Sequence, residues 1–235
     1  MSKLSIIIPV YNEESTILQI LNKIEKVVLI NNIEKEYIIV NDFSSDNSEK
    51  CILNFINDNP IMNITYLFHK ENLGKGAAIH HGINKSNGDY IVIQDADMEY
   101  DPIEYNKLLK LLVDNIADVV YGSRFIGGNP HRILFFWHTI GNKFLTFLSN
   151  LFNNLNLTDM ETCYKMFNSK ILKSITLNEC RFGFEPEVTA KIAKINNIRI
   201  YEVGISYYGR TYKEGKKINW KDGFNAIKCI IKYGI

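Results

Sequence analysis

The chain has 235 residues, of which 46% are hydrophobic, and a formal net charge of +1. Its length suits one large α/β domain or a domain with an appendage, and its apolar content supports a sizeable core and excludes wholesale disorder. Near-neutrality excludes nucleic-acid binding by bulk charge. The four cysteines, Cys51, Cys163, Cys180 and Cys229, are scattered without a C-x-x-C pair. They read as reduced thiols of a cytosolic protein, not as a zinc site or a disulfide framework. The N-terminus runs directly into a strand without a signal-peptide pattern, and no apolar run reaches the roughly 18 residues of a membrane span.

Residues 4–9 are a continuous apolar run, the pattern of a buried parallel strand. A loop from Pro9 to Glu14 follows, then Ile17, Leu18, Leu21, Ile24 and Val28 at helical spacing. Residues 37–40 form a second buried strand ending in Asn41-Asp42, and Ser45 or Asp46 can cap the next helix. A third strand is expected at 64–68. Asn72-Leu73-Gly74-Lys75-Gly76 then opens a helix, and a strand at 89–93 leads into Gln94-Asp95-Ala96-Asp97-Met98-Glu99. A helix over 103–113 and a strand over 118–122 complete this half. Strand and helix alternate throughout, the signature of βαβ units and a parallel sheet.

In such a sheet, ligands bind at the carboxyl ends of the strands. Three strands run into polar, acidic loops there: Tyr11-Asn12-Glu13, 42–46, and Asp95 to Glu99. Crowded carboxylates repel unless a cation or proton lies between them, and Mg²⁺ and Mn²⁺ take carboxylates together with phosphate oxygens. A lone D-x-D is also compatible with a solvated turn. Three acidic loops at one edge favour a cleft for a nucleotide and a metal. Gly74-x-Gly76 lacks the third glycine of a dinucleotide fingerprint, so NAD binding is not expected.

The second half breaks the alternation. Ile133, Trp137, Ile140, Phe144, Leu148, Leu151 and Leu155 step by threes and fours, with His138, Asn142, Lys143, Thr146, Ser149 and Asn150 on other faces. The simpler expectation is a core-facing amphipathic helix; the sharper one is a helix that meets lipid, because Phe135, Phe136 and Trp137 overfill one face. Glu185-Pro186-Glu187 reads as a helix N-terminus. A last strand over 198–208, a basic loop over 210–217 and a short helix through Phe224, Ile227, Ile230 and Ile231 close the chain.

Taken in order, four segments resemble family 2 glycosyltransferases of the GT-A fold: Ile6 to Glu13, Val40 to Asp46, Asn72 to Ala77, and Asp95-Ala96-Asp97. Within that family the chain is similar to the dolichyl-phosphate mannosyltransferase group, at Gly122-Ser123-Arg124-Phe125, at 159–167 and at 210–216. The resemblance implies an open, mostly parallel sheet flanked by helices with a C-terminal amphipathic helical extension. Residues 1–128 would be the nucleotide-sugar-binding core, and 129–235 the acceptor side of one continuous domain. Pro9, Tyr11, Asn12, Glu13, Asp42, Lys75 and Asp95 would bind the nucleotide-sugar. Asp95, Asp97 and Glu99 would hold Mg²⁺ or Mn²⁺. Asp95, Asp97, Arg124, Arg210 and Lys216 would serve the transfer, with Arg124, Arg132, Asp159 and Lys165 meeting the acceptor. Several positions depart from the group's pattern: Glu99 stands for a usual Gln, Asn41 for Asp, Gly215 for Ser, and the 159–165 segment lacks its Pro and Gly.

The implied reaction is inverting, metal-dependent transfer from a UDP- or GDP-sugar to a polyprenyl phosphate, by a cytoplasmic enzyme peripheral to the inner face of a membrane. Nucleic acid is not a partner. A lipid phosphate, with a second pKa of about 6, is already ionised and needs cations, not a base. A hydroxyl acceptor would instead need a base, for which Asp159, Glu161, Glu185 and Glu187 are available. A sugar-phosphate nucleotidyltransferase is a rival, but the loop after the first strand, Pro9 to Glu14, has neither the Gly nor the Arg that class uses. A catalytically silent binding module, recruiting a partner through the aromatic helix, is another.

Overall fold

The long apolar runs become the centre of one sheet. β1 (Lys3–Val10) pairs in parallel with β2 (Glu34–Asn41), from Lys3 opposite Glu34 to Val10 opposite Asn41. Ile6, Ile7 and Ile8 are all fully buried, as a strand covered on both faces requires. The computed structural model describes residues 2–128, 130–133, 135–211, 214–215 and 220–234, without the side chains of Trp220 and Lys221. Lys216 lies outside the described residues.

β3 (Ile64–Phe68) adds to β2, and β4 (Tyr90–Ile93) to the other side of β1, both in parallel. The sheet has seven strands in the order β3-β2-β1-β4-β6-β5-β7, where β5 is Val119–Ser123, β6 is Lys165–Asn168 and β7 is Ile200–Gly204. β6 runs antiparallel to both neighbours; the other pairings are parallel. A strand from the second half of the sequence therefore lies between β4 and β5 of the first.

The first-half helices follow the apolar spacing. α1 (Ile17–Lys26) buries Ile17, Ile20, Leu21 and Ile24, while Leu18 and Val28 face solvent. α2 (Ser48–Asp58) has Asn47 as N-cap; Asp46 accepts a hydrogen bond from Ser48 N at 3.0 Å. α3 (Lys75–Lys85) follows Gly74, and α4 (Tyr105–Val113) continues from a 3₁₀ turn at Pro102–Glu104.

The second half departs from expectation in two places. β6 was not legible: it is four residues long and begins with a lysine. Lys165 is nevertheless fully buried, its ammonium paired with Glu185 and hydrogen-bonded to the carbonyl of Thr162. α5 (Phe136–Asn153) corrects the expectation of a core-facing apolar stripe. Its buried residues are Thr146 and Ser149, and the Thr146 hydroxyl accepts from Met160 N at 3.1 Å. Phe136 is 67% exposed, Trp137 78% and Leu151 65%. Leu145 and Leu148 pack partly against the core. The short α6 (Ser169–Ser174), α7 (Phe184–Ala193) and α8 (Trp220–Gly234) complete the chain, with α8 packed on α5 and α7. α7 begins at Phe184, so Glu185-Pro186-Glu187 stands in its first turn as expected. Among the described residues no helix is long and apolar enough to cross a membrane. All four cysteines are free thiols.

Candidate active site

The carboxyl ends of the parallel strands open onto a cleft of about 670 Å³. The end of β1 and the loop after it contribute Pro9, Tyr11 and Glu13, the loop after β2 Asp42, the start of α3 Lys75, the loop after β4 Asp95, Asp97 and Glu99, and the residue after β5 Arg124. Arg210 closes over them from the segment after β7, while α5 and α8 supply the opposite wall through Trp137, Gly141, Gly223 and Ala226. The three acidic loops expected at one edge are brought together. Asn12, Arg132, Asp159 and Lys165 are not on the cleft wall.

Backbone donors lace the loops into position. Asn12, at a left-handed φ of 50°, accepts from Ser45 N at 2.8 Å, and Glu13 N donates to Ser48 Oγ at 2.8 Å. Asp42 accepts from Leu73 N at 2.9 Å, Gly74 N at 2.8 Å and Asn72 Nδ2 at 2.9 Å, and it meets His69 Nδ1 at 2.7 Å. Its carboxylate thus fastens the β3–α3 loop to the end of β2. The same loop explains Gly74 and Gly76. A Cβ on Gly76 would stand 2.1 Å from the Glu179 carbonyl oxygen, and one on Gly74 2.6 Å from that of Cys180. These glycines admit the segment before α7 against α3, a close-approach role.

Asp97 is the most perturbed carboxyl at the edge. Burial first, then Asp95 and Glu99, hold its pKa above the ordinary carboxylate range, and Arg210 pulls the other way. The Arg210 guanidinium donates to both oxygens of Glu13 at 3.1 Å and to Asp97 Oδ2 at 3.0 Å. Asp95 is paired with Lys75 at 2.7 Å. Glu99 has partners of another kind: Tyr207 OH donates to it at 2.7 Å and Arg210 N at 2.7 Å. Both of its oxygens therefore hold the segment that carries Arg210.

The residues expected on the acceptor side are held in ion pairs, buried for Arg124 and Lys165 and exposed for Arg132. Arg124 grips Asp159 with Nε and Nη2, each at 2.6 Å, while Asp159 also accepts from Arg124 N at 3.0 Å. Lys165 is held by Glu185. Arg132 pairs with Glu214 at 2.9 Å and donates to the Gly209 carbonyl at 3.2 Å. Glu187 is fully buried and accepts from Asn178 N and Glu179 N. Glu161 differs. It lines the cleft, its Oε1 is shielded from water without a hydrogen-bond partner, and its pKa is pushed up to about 7 by burial and then by Glu185, against Lys165 and Arg124. Sequence reasoning missed Arg181, an exposed side chain on the cleft wall. Its position just ahead of Glu185-Pro186-Glu187 was the available signal.

The glycosyl transferase family 2 model matches residues 5–176. The chain belongs to glycosyltransferase family 2 and is a glycosyltransferase. It is 28% identical over 97% of its length, and 73% of the relative's, to dolichyl-phosphate beta-glucosyltransferase of Dictyostelium discoideum. It is 27% identical over 94% of its length, and 92% of the relative's, to UDP-N-acetylglucosamine–dolichyl-phosphate N-acetylglucosaminyltransferase of Methanococcus voltae. Among solved structures it resembles glucosyl-3-phosphoglycerate synthase of Mycobacterium tuberculosis, crystallised with Mn²⁺, UDP and phosphoglyceric acid. That likeness has a TM-score of 0.75 and 16% identity over 99% of this chain and 78% of the other, and it bears out the GT-A fold.

Proposed function

We propose that this enzyme moves a sugar from a UDP- or GDP-sugar to a polyprenyl phosphate, with inversion and with Mg²⁺ or Mn²⁺, at the cytoplasmic surface of a membrane. The observation that carries this reading is one cleft with two unlike walls. Asp95, Asp97 and Arg210 stand on one wall, and α5, with its exposed aromatic face, forms part of the other. The lipid-phosphate acceptors in the names of both relatives support it, as do the Mn²⁺ and UDP of the solved one.

The donor set fits a hard divalent cation, because Asp97 is crowded by like charges that a cation would relieve. Among the described residues no three acidic, histidine or cysteine side chains form a ready cage. The fit is to a cation held by one or two carboxylates and completed by phosphate oxygens. Asp95 and Asp97 would hold it; Glu99, occupied by Tyr207 and Arg210, would not be needed. When bound, the metal supplies charge neutralisation for the leaving nucleoside diphosphate. Arg210, now against Glu13 and Asp97, would turn to the diphosphate and share that task. Lys75 would hold Asp95 in orientation. Tyr11 and Glu13 would line the nucleotide end.

A phosphate acceptor attacks without a general base. Asp159, Glu185 and Glu187, committed to ion pairs, suit that requirement. The exposed face of α5 would rest on lipid, as an amphipathic interfacial helix does.

A second reading is transfer to a hydroxyl of a glycolipid or polysaccharide. Glu161 favours it, since an unpartnered carboxyl with a pKa near 7 is poised to act as a base. The two readings separate in a donor panel. Labelled UDP- and GDP-sugars are incubated with the enzyme, Mg²⁺ or Mn²⁺ and a polyprenyl phosphate, then extracted into organic solvent. Label entering the lipid phase from one donor, lost in Asp97→Ala and kept in Glu161→Gln, supports the phosphate acceptor. No label in lipid, with transfer to a hydroxyl acceptor that Glu161→Gln abolishes, supports the second.

A further inference from the structure

The cations of the cleft wall are nearly all spoken for. Lys75 Nζ lies 2.7 Å from Asp95, Arg124 is bidentate on Asp159, and Arg210 spans Glu13 and Asp97. Lys165, below the wall, is sealed against Glu185. Each of these pairs brings its own negative charge, so it offers an incoming anion little net attraction. Arg181 is the exception: it lines the same cleft, is exposed, and among the described residues has no carboxylate partner.

Its base is anchored although its head is free. Ala77 N donates to the Cys180 carbonyl at 2.9 Å, which fastens the backbone beside Arg181 to the first turn of α3. Arg181 Cγ lies against the Gly74 backbone, 2.7 Å from where a Cβ there would stand. Arg181 belongs to the segment leading into α7, and α7 packs on both α5 and α8. Arg181 therefore lines the cleft where the Gly74–Lys75 turn meets the segment that leads into α7, within the same cleft as Trp137 of α5 and Ala226 of α8.

We propose that Arg181 receives the phosphate of the lipid acceptor. The proposal rests on the polyprenyl-phosphate reading above. A phosphomonoester carries about −1.5 to −2 charge near neutral pH, and an unpaired guanidinium can meet two of its oxygens at once. A phosphate there keeps its apolar tail on the side of α5 and α8. The acceptor role expected of Arg124 and Lys165 passes to a residue whose charge is available.

The test compares farnesyl phosphate with farnesol, in binding and as a competitor of polyprenyl phosphate, for wild type, Arg181→Gln and Arg181→Lys. UDP and GDP affinity is measured alongside. Wild type should prefer the phosphate over the alcohol. Arg181→Gln should erase that preference and weaken farnesyl phosphate binding roughly 10- to 100-fold, with nucleotide affinity unchanged. Arg181→Lys, keeping the charge without the fork, should recover part of it. In turnover the loss should appear in KM for the lipid more than in kcat. Loss of nucleotide affinity with lipid-phosphate binding intact would assign Arg181 to the donor diphosphate and overturn the proposal. Unchanged phosphate preference in a folded Arg181→Gln, or no such preference in wild type, would also overturn it. Arg181-dependent farnesyl phosphate binding without sugar transfer to lipid would leave the proposal standing and remove the reaction.

Discussion

Two groups of charges lie at this cleft and beneath it, and they are built on opposite plans. At the edge formed by β1, β2 and β4, carboxylates line the cleft and are balanced by Lys75 and Arg210, one from the first turn of α3 and one from the segment after β7. Around β6, carboxylates and cations are buried in fixed pairs, Asp159 with Arg124 and Glu185 with Lys165. The first arrangement can exchange partners when a ligand arrives. The second cannot do so without leaving a charge uncompensated in the interior. Charge in an active-site cleft is thus of two kinds, one available to chemistry and one committed to holding an antiparallel strand in the sheet.

The largest effect should come from breaking the committed kind. Asp159→Ala leaves Arg124 nearly buried and unpaired, and should cost about 3–5 kcal/mol in urea unfolding. A change under about 1 kcal/mol would mean that the pair is not structural. Next, Asp97→Asn should lower turnover roughly 100-fold or more while thermal stability holds or rises, because it removes a carboxyl that burial and two like charges already disfavour. Parallel losses of stability and activity would place Asp97 with the structural group.

Glu161 sharpens the boundary between the two. Its folded pKa, about 7, lies above the ordinary glutamate value, so the folded state holds the proton more tightly than the unfolded chain. Its contribution to stability therefore falls as pH rises from the unfolded pKa through about 7, and the full penalty is present above that. Glu161→Gln should gain on the order of 1 kcal/mol relative to wild type at pH 8 and little at pH 5, read from unfolding midpoints at both. An equal effect at the two pH values would contradict the burial argument. The smallest effect on stability, within about 0.5 kcal/mol, is expected for Trp137→Glu, since the side chain is 78% exposed. The same change should abolish flotation with anionic vesicles if α5 meets lipid; retained flotation would point to another surface.

Much of this molecule was legible before the structure. Local period decided the parallel strands and their helices, because an apolar run buried on both faces and an amphipathic helix each write a short-range pattern. The edge loops were legible for the same reason: 11–13, 42–46 and 95–99 follow recognisable strands, and strand ends in such a sheet converge. Gly74 and Gly76 were visible as residues, but their reason, the Glu179 and Cys180 carbonyls pressed against them, lies more than a hundred positions away.

What only the tertiary structure decided concerns partners that sequence does not pair. Lys165, expected to meet the acceptor, is instead paired with Glu185 in the interior, and a strand opening on a lysine gives no apolar run by which β6 could be read. The sequence shows the charge of Arg124; that Asp159 holds its Nε and Nη2 appears only in the fold. α5 looks core-facing because a helical period fixes which residues share a face but not which face turns inward. Thr146 and Ser149 turn in, and the aromatic face is left outside. By itself the sequence determined the period of its elements and which polar and acidic residues follow the strands. Which charges are spent and which remain free is a property of long-range contacts, and it exists only once the chain has folded.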